Sequence, residues 1–283
     1  MTIARDGTPA LLESEFAAIQ KLAHRRFGLW LRDGKQELVR TRLGKELRRL
    51  GVASFGEYTT LLERDASGEL EEQFTNLLTT NHTHFFREAE HFRFLESKVL
   101  PDLAARASLD FWCAACATGE EAYTLAMCVA AFLKTPDPPM SILATDISTR
   151  ALAVARRGVY DESRFSTVRP EALRPYLLRG RSEPNVYRIR PELRNRIRFE
   201  QLNLLGDWPV SRRFPVIFCR NVMIYFDRDT QSRVVNRLAE RLEPGGYLFV
   251  GHSESLNGYN HPLTYVLPAV YRKGGSLSGG KKG

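Results

Sequence analysis

The segment from residue 109 to residue 146 constrains this 283-residue chain more than any other. Leu109–Ala114 is a short apolar run, Thr118-Gly119-Glu120-Glu121 opens an apolar-periodic stretch reaching Leu133, and Met140–Thr145 is a second apolar run ending at Asp146. Such runs read as strand, helix, strand, and strands joined through a helix lie parallel. The alternation resumes with a helix at Thr149–Arg157, a strand at Pro215–Cys219 and a helix at Asp229–Leu242. A turn at Pro244-Gly245-Gly246 and a strand at Tyr247–Gly251 follow. Leu263–Leu267 and Ala269–Lys273, broken by Pro268, suit a closing antiparallel pair. The expected fold is α/β, a sheet with helices on both faces.

Before this segment the pattern differs. Residues 1–80 read as short amphipathic helices at Glu13–Phe27, Lys35–Leu50, Phe55–Arg64 and Glu69–Thr80, broken at Asp33-Gly34, Gly51 and Ser67-Gly68. In the second helix Val39, Leu43, Leu47 and Leu50 form an apolar stripe, while Arg42, Lys45 and Arg49 share another face. That basic face is either ordinary solvated surface or a dock for an acidic helix. Between Tyr160 and Glu200 the strand-helix alternation stops. Asn185–Arg190 and Arg196–Gln201 read there as short strands of an inserted β-hairpin subdomain. The end of the chain, GGSLSGGKKG, reads as a flexible basic tail over residues 274–283.

The net charge of +8 is localised: residues 1–84 balance, and residues 150–200 carry thirteen basic against six acidic side chains. An acidic partner is the class of ligand this favours. No stretch of 18 uncharged apolar residues exists to cross a bilayer, and the first residues lack a basic head followed by an apolar segment. A cytoplasmic location is expected, and four cysteines there stay thiols.

Several motifs fail on context. Gly275–Lys281 has Walker A spacing, but Lys282 stands where a hydroxyl should hold magnesium, and neither strand nor helix flanks it. Cys113-Ala-Ala-Cys116 lacks a second ligand pair and precedes its helix by several residues, so two buried thiols are expected. The turn Cys116-Ala-Thr-Gly-Glu-Glu121 is no dinucleotide fingerprint, and its two carboxylates would repel a pyrophosphate. It suits a ligand cationic at amino and sulfonium groups. Asp146 ends the second strand, where an acidic side chain bonds ribose hydroxyls or serves as a turn residue. Adenosine without phosphates is the ligand implied.

Five runs then coincide: Asn81-His-Thr-His-Phe-Phe-Arg-Glu88, Cys116–Glu121, Ala144-Thr-Asp-Ile147, Asn203-Leu-Leu205 and Phe218-Cys-Arg-Asn-Val-Met-Ile-Tyr-Phe226, with a final Gly251-His-Ser-Glu-Ser255. In order and spacing the chain resembles the CheR family of chemotaxis receptor methyltransferases over residues 13–273. The resemblance implies an all-α N-terminal domain (1–80, receptor-docking) followed by a Rossmann-like S-adenosylmethionine-dependent methyltransferase domain (81–273). A small antiparallel β-subdomain is inserted in the latter at about 160–200. It further implies S-adenosyl-L-methionine as methyl donor, S-adenosyl-L-homocysteine as product, and glutamate side chains in the cytoplasmic domain of chemoreceptors as acceptors.

Carried over residue by residue, Asn81, Thr83 and Arg87 resemble the donor-binding segment, with Arg87 near the reacting methyl. Glu120 or Glu121, and Asp146, resemble acidic contacts to the donor. Asn203, Leu204, Arg220 and Asn221 resemble the pocket around its adenine and methionine parts, and Tyr225 the ring beside the methyl. Arg87 and Tyr225 are the catalytic candidates, and Arg42, Lys45 and Arg49 the substrate-docking ones. Ala122 stands where the family usually has Pro, and Ala117 precedes Thr118 where Ser-Thr is common; neither change removes a functional group. No metal is implied. A monomer without nucleic-acid partner or membrane insertion is expected. The rival readings are a nucleic-acid methyltransferase, for which aromatic residues fail to interleave with the basic insertion, and a non-catalytic donor-binding signalling module.

Overall fold

A computed structural model describes residues 9–277. Two compact units emerge: residues up to Thr80 together with Tyr225–Thr230, and Asn81–Ile224 together with the chain from Gln231 onward. Lys281 and Lys282, and the tail from residue 278, lie outside the described residues.

Among the described residues up to Thr80 the first unit has the helices α1 (Glu13–Phe27), α2 (Gln36–Leu50), α3 (Phe55–Arg64) and α4 (Glu69–Leu78). Their apolar stripes meet around the fully buried Ile19, Val39, Leu43, Leu47, Phe55 and Tyr58. Helix ends follow the breaks in the sequence: Gly28 and Gly51 take left-handed φ of 73° and 69° to close α1 and α2. The Ser54 hydroxyl accepts from the Glu57 amide to start α3. Polar contacts tie Tyr225–Thr230 into this unit. The Trp30 amide donates to the Tyr225 carbonyl at 2.7 Å, and His24 Nε2 lies 2.5 Å from Asp227 Oδ2. Burial would raise the Asp227 pKa, but hydrogen bonds from His24 and Thr230 outweigh it and hold the carboxyl at about 2.

The three basic residues of α2 divide. Arg42 turns inward on its own unit, donating to the Leu78 carbonyl at 2.6 Å, the Thr79 carbonyl at 3.3 Å and Thr80 Oγ1 at 2.9 Å. It thus satisfies carbonyls left orphaned at the end of α4. Arg49 forms a two-pronged pair with Glu46 at 2.6 and 2.9 Å, and Lys45 is exposed.

The second unit opens with a helical run that the strand-helix pattern left unassigned: α5 (Ala89–Phe94), a π-helical turn at Leu95–Val99 and α6 (Leu100–Leu103). There follow β1 (Leu109–Cys113), α7 (Glu120–Leu133), β2 (Met140–Asp146), α8 (Thr149–Arg157), β3 (Val159–Asp161), β4 (Leu177–Arg179) and β5 (Val186–Ile189). The chain continues with α9 (Pro191–Arg194), β6 (Ile197–Gln201), β7 (Phe214–Phe218), α10 (Arg228–Arg241), β8 (Leu242–Phe249), β9 (Leu263–Leu267) and β10 (Val270–Lys273). The main sheet runs β6-β2-β1-β7-β8-β10-β9; its first five strands are parallel, and β10 lies antiparallel to both neighbours. A separate antiparallel sheet has the order β3-β5-β4. β7 is buried at every residue, as a parallel strand covered on both faces must be.

Two expectations are corrected. Arg196–Gln201 does not belong to the inserted hairpin: β6 pairs in parallel with β2, Ile142 opposite Ile197 through Asp146 opposite Gln201. Ile197 and Phe199 face the core while Arg198 alternates outward, which disguises a main-sheet edge as a surface hairpin. Pro244-Gly245-Gly246 is no turn between helix and strand. It lies within β8, where the register against β7 shifts between Phe214 and Val216 and Gly245 takes φ 78°. The amide of Gly245 donates to the Gly274 carbonyl at 3.1 Å, so the residues just after β10 are seated on that bulge.

Arg42→Ala should destabilise the helical unit by about 1–3 kcal/mol through the stranded carbonyls of α4. Thermal unfolding followed by circular dichroism checks this, and Lys45→Ala should leave the midpoint nearly unmoved.

Candidate active site

Strand order reverses direction around β1, which has β2 on one side and β7 on the other. In open α/β sheets ligands bind outside the carboxyl ends of the strands at such a point. The predicted site residues of this unit lie before β1's helical lead-in or just after the ends of β1, β2, β6 and β7, and form two polar clusters.

The first cluster lies beyond β1 and β2. Asp146 is 8% exposed; its Oδ2 accepts from the Ala117 amide at 2.8 Å and its Oδ1 from the Ser148 amide at 2.9 Å. Burial raises its pKa against these amides. It therefore ties the two loops together, and each oxygen retains a lone pair for a hydroxyl. Helix α8 is capped by Ser148, whose Oγ accepts from the Ala151 amide at 3.1 Å and from Asn81 Nδ2 at 3.3 Å. Glu120 is fully buried, accepts from Thr118 Oγ1 at 2.6 Å and lies 3.4 Å from Arg164. Arg164 also donates to the Thr83 carbonyl at 3.1 Å. Gly119 takes φ 96°, and a Cβ there would sit 2.8 Å from the Ala155 Cβ, so only glycine lets α7 start so close to α8.

The second cluster lies beyond β7 and β8. Arg220 is buried, with its guanidinium committed to Glu121 Oε2 at 2.6 Å, Glu88 Oε2 at 2.9 Å and the Arg87 carbonyl at 2.6 Å. Asn221 Nδ2 donates to Glu88 Oε1 at 3.2 Å. Burial pushes the Glu88 pKa up, but Arg220 and Asn221 prevail and bring it to about 2. Glu88, His91 and His252 place ligand-type atoms within 4.8 Å of one another. Arg220 lies against the same Glu88 oxygen and opposes a second cation there. Arg87 itself is half-buried and donates to the His82 carbonyl at 2.9 Å, rather than pairing with Glu88 or Glu90.

Asn203 Oδ1 accepts from the Leu205 amide at 3.0 Å, and the Leu204 carbonyl accepts from Trp208 Nε1 and Arg237. These contacts fix the turn after β6. Tyr225 is not gathered with these residues: by its contacts it belongs to the helical unit. The cysteines of the CxxC run, Cys113 and Cys116, are buried free thiols whose pKa burial raises.

Backbone strain concentrates here. Phe86, Glu88, Ala117 and Asn221 are non-glycine residues with φ of 55°, 56°, 46° and 58°. Such conformations persist where surrounding contacts over-determine them, which is characteristic of functional sites.

The residue set fits an S-adenosylmethionine-like ligand. Buried Glu121 Oε1 has no hydrogen-bond partner, and an acceptor so placed calls for a donor such as an ammonium group. Glu120's free oxygen, by contrast, already has Arg164 nearby. No Lys or Arg side chain stands in the turn 114–121 to neutralise a phosphate, and two acids do.

An acidic, phosphate-averse turn at the switch point of a parallel sheet, beside a strained segment, defines an S-adenosylmethionine-dependent methyltransferase site. Family comparison agrees: the CheR methyltransferase SAM binding domain matches residues 81–269 and the CheR methyltransferase all-alpha domain residues 14–79. The chain belongs to the CheR methyltransferase family. It is 40% identical to the chemotaxis protein methyltransferase of Escherichia coli K12, over 93% of this chain and 91% of that protein. It is 40% identical to chemotaxis protein methyltransferase 2 of Pseudomonas aeruginosa, over 91% and 92%. For the Borreliella burgdorferi enzyme the identity is 35%, over 93% and 95%.

Sequence reasoning overlooked Glu88, Arg164, Ser148 and Glu254 as site-shaping residues. Glu88 and Glu254 were visible as acids inside the matching runs, but nothing local marked their distant partners.

The Glu88–Arg220 pair has a pH signature. A carboxylate depressed from 4.5 to about 2 contributes stability at neutral pH that is lost as pH falls from about 4 through 2. The stability gap between wild type and Glu88→Gln, measured by urea unfolding, should be on the order of 3 kcal/mol at pH 7 and shrink steadily below pH 4.

Proposed function

We propose that this methyltransferase esterifies glutamate side chains in the cytoplasmic domain of chemoreceptors, acting as a monomer and not on nucleic acid. The observation that carries the donor side of this reading is the open Glu121 oxygen at the start of α7. The acceptor side is supported by kinship with chemotaxis protein methyltransferases along nearly the whole chain.

When bound, S-adenosylmethionine would supply a sulfonium-activated methyl group: a carboxylate oxygen bonds to the methyl carbon as the carbon–sulfur bond breaks, and S-adenosylhomocysteine leaves with the sulfur's electron pair. A glutamate of pKa about 4.3 is already ionised at pH 7, so the protein needs no general base. Its work is alignment and exclusion of water. In this reading Asp146 accepts from the ribose hydroxyls with its remaining lone pairs, and Glu121 takes the ammonium. Asn81, Thr83, Asn203 and Leu204 line the adenosine and methionine parts, while Glu120 supports the turn through Thr118.

Arg87 spends one donor on the His82 carbonyl and keeps others to orient the incoming carboxylate. Tyr225, the second catalytic candidate, would contribute its aromatic ring to the methyl-transfer step. Arg220, buried among its acceptors, acts by holding Glu121, Glu88 and the Arg87 backbone. Asn221 acts with it by bonding Glu88. Lys45 and Arg49, on the exposed face of α2, meet the acidic receptor helix, with Arg42 supporting α4 behind them.

Titration calorimetry with S-adenosylhomocysteine, followed by transfer of labelled methyl to receptor-rich membranes with an RNA control, tests the reading. Base-labile label on receptor is expected. Label on RNA, or none with the donor bound, would overturn it. Arg87→Ala and Tyr225→Leu, which removes the aromatic ring, should cut turnover by tenfold or more while changing S-adenosylhomocysteine affinity little, and Asp146→Ala should act chiefly on that affinity.

A further inference from the structure

The turn that follows β8, Gly251-His252-Ser253-Glu254, sends a carboxylate back into the protein. Glu254 is 6% exposed, and among the described residues no cation pairs with it. Its Oε2 accepts from the amides of Gly251 at 2.6 Å and Asn221 at 2.8 Å, and its Oε1 from the amide of Ile224 at 3.2 Å. A buried carboxylate is expensive to desolvate, and here only backbone N–H dipoles from two separate loops offset that cost. An apolar side chain of the same volume would fill the space more cheaply, so the charge has a different purpose.

That purpose follows from which amides it holds. Asn221 has φ 58°, a conformation that a non-glycine residue keeps only when held. Its side chain meets Glu88, and Ile224 is the last residue before Tyr225. Gly251 makes room for this arrangement: a Cβ there would lie 2.5 Å from Asn221 Nδ2, 2.8 Å from Glu254 Oε2 and 2.9 Å from the Asn221 amide. The same turn reaches Glu88 directly, the His252 amide donating to Glu88 Oε2 at 3.2 Å.

We infer that Glu254 is a positioning residue of the methyl transfer. Its carboxylate acts as a built-in anion that gathers the amides of Asn221 and Ile224 and so sets both Asn221 and the chain leading into Tyr225. The inference rests on the site roles proposed above for those two residues. It assigns a function to the Gly-x-x-Glu spacing at 251–254, whose requirement is a side-chain-free residue beside a buried acid.

Glu254→Gln, which keeps the shape and removes the charge, is the test, with Glu254→Asp as a second variant should the first fail to fold. Amide exchange read by mass spectrometry or NMR should accelerate tenfold or more at Asn221 and Ile224 while β7 and β8 stay protected. Affinity for S-adenosylhomocysteine should fall about threefold to tenfold, and turnover at saturating donor should fall further, since an ångström of misplacement at a reacting centre costs up to about a hundredfold. Unchanged exchange at Asn221 and Ile224 would overturn the inference. Loss of protection throughout β7 and β8 in both variants would also overturn it, because the residue would then be a general stabiliser. Failure of the function proposed above would show differently, as wild-type protein that binds S-adenosylhomocysteine yet labels no receptor; the exchange and affinity arms would still judge Glu254.

Discussion

The α/β unit is organised around one buried positive charge. Arg220 follows β7 directly, and its guanidinium is almost free of solvent yet meets three acceptors from two other pieces of chain, Glu121 on α7 and the Arg87-Glu88 segment. An unpaired guanidinium at that depth would cost several kcal/mol, so the three pieces are bound to one arrangement. Beneath it lie Phe92 and Phe218, with centroids 5.6 and 6.0 Å from the guanidinium carbon; Phe218 is itself stacked on Phe249 at 4.4 Å. The charge thus rests on the aromatic core while its donors face the loops that would meet a ligand.

Charge is also apportioned by depth. Glu120 and Asp146 are buried against hydroxyl and amide donors, with pKa values raised by desolvation. Glu88 is lowered because Arg220 and Asn221 surround it. Carboxylates in one small region therefore serve different ends: some clamp loops, and of the two with an oxygen lacking a hydrogen bond, Glu120 has Arg164 beside it while the Glu121 oxygen stays open to a ligand. Such division separates the task of holding the backbone from the task of recognising a cation.

The bounds of α1, α3, α8 and β9 were legible because caps and periodicity agree there, and the five matching runs located both polar clusters. What was hidden depended on long-range partners. β6 alternates like a surface hairpin, and only its pairing with β2 shows it to be a sheet edge. Arg42 shares a helical face with Lys45 and Arg49, and nothing at i±4 marks its reach to carbonyls 36 residues onward. Arg220 resembles a pocket residue in sequence, whereas its burial and partners make it a structural hub. Helix α5 and the π-helical turn after it carry no strong cap, Glu88 preceding them in a left-handed conformation.

The segment Tyr225–Thr230 has a consequence for inheritance. It is encoded far from the first eighty residues, between β7 and the body of α10, yet makes its contacts with that helical unit through Trp30 and His24. The helical unit is consequently discontinuous in the gene, and no single cut separates the two halves cleanly. A recombination event that exchanged the leading helices alone would pair them with a foreign insert at 225–230. The two parts are therefore obliged to travel together, and variation at His24 should be answered by variation at Asp227, whereas the Trp30–Tyr225 bond, being between backbone groups, tolerates a change of either side chain.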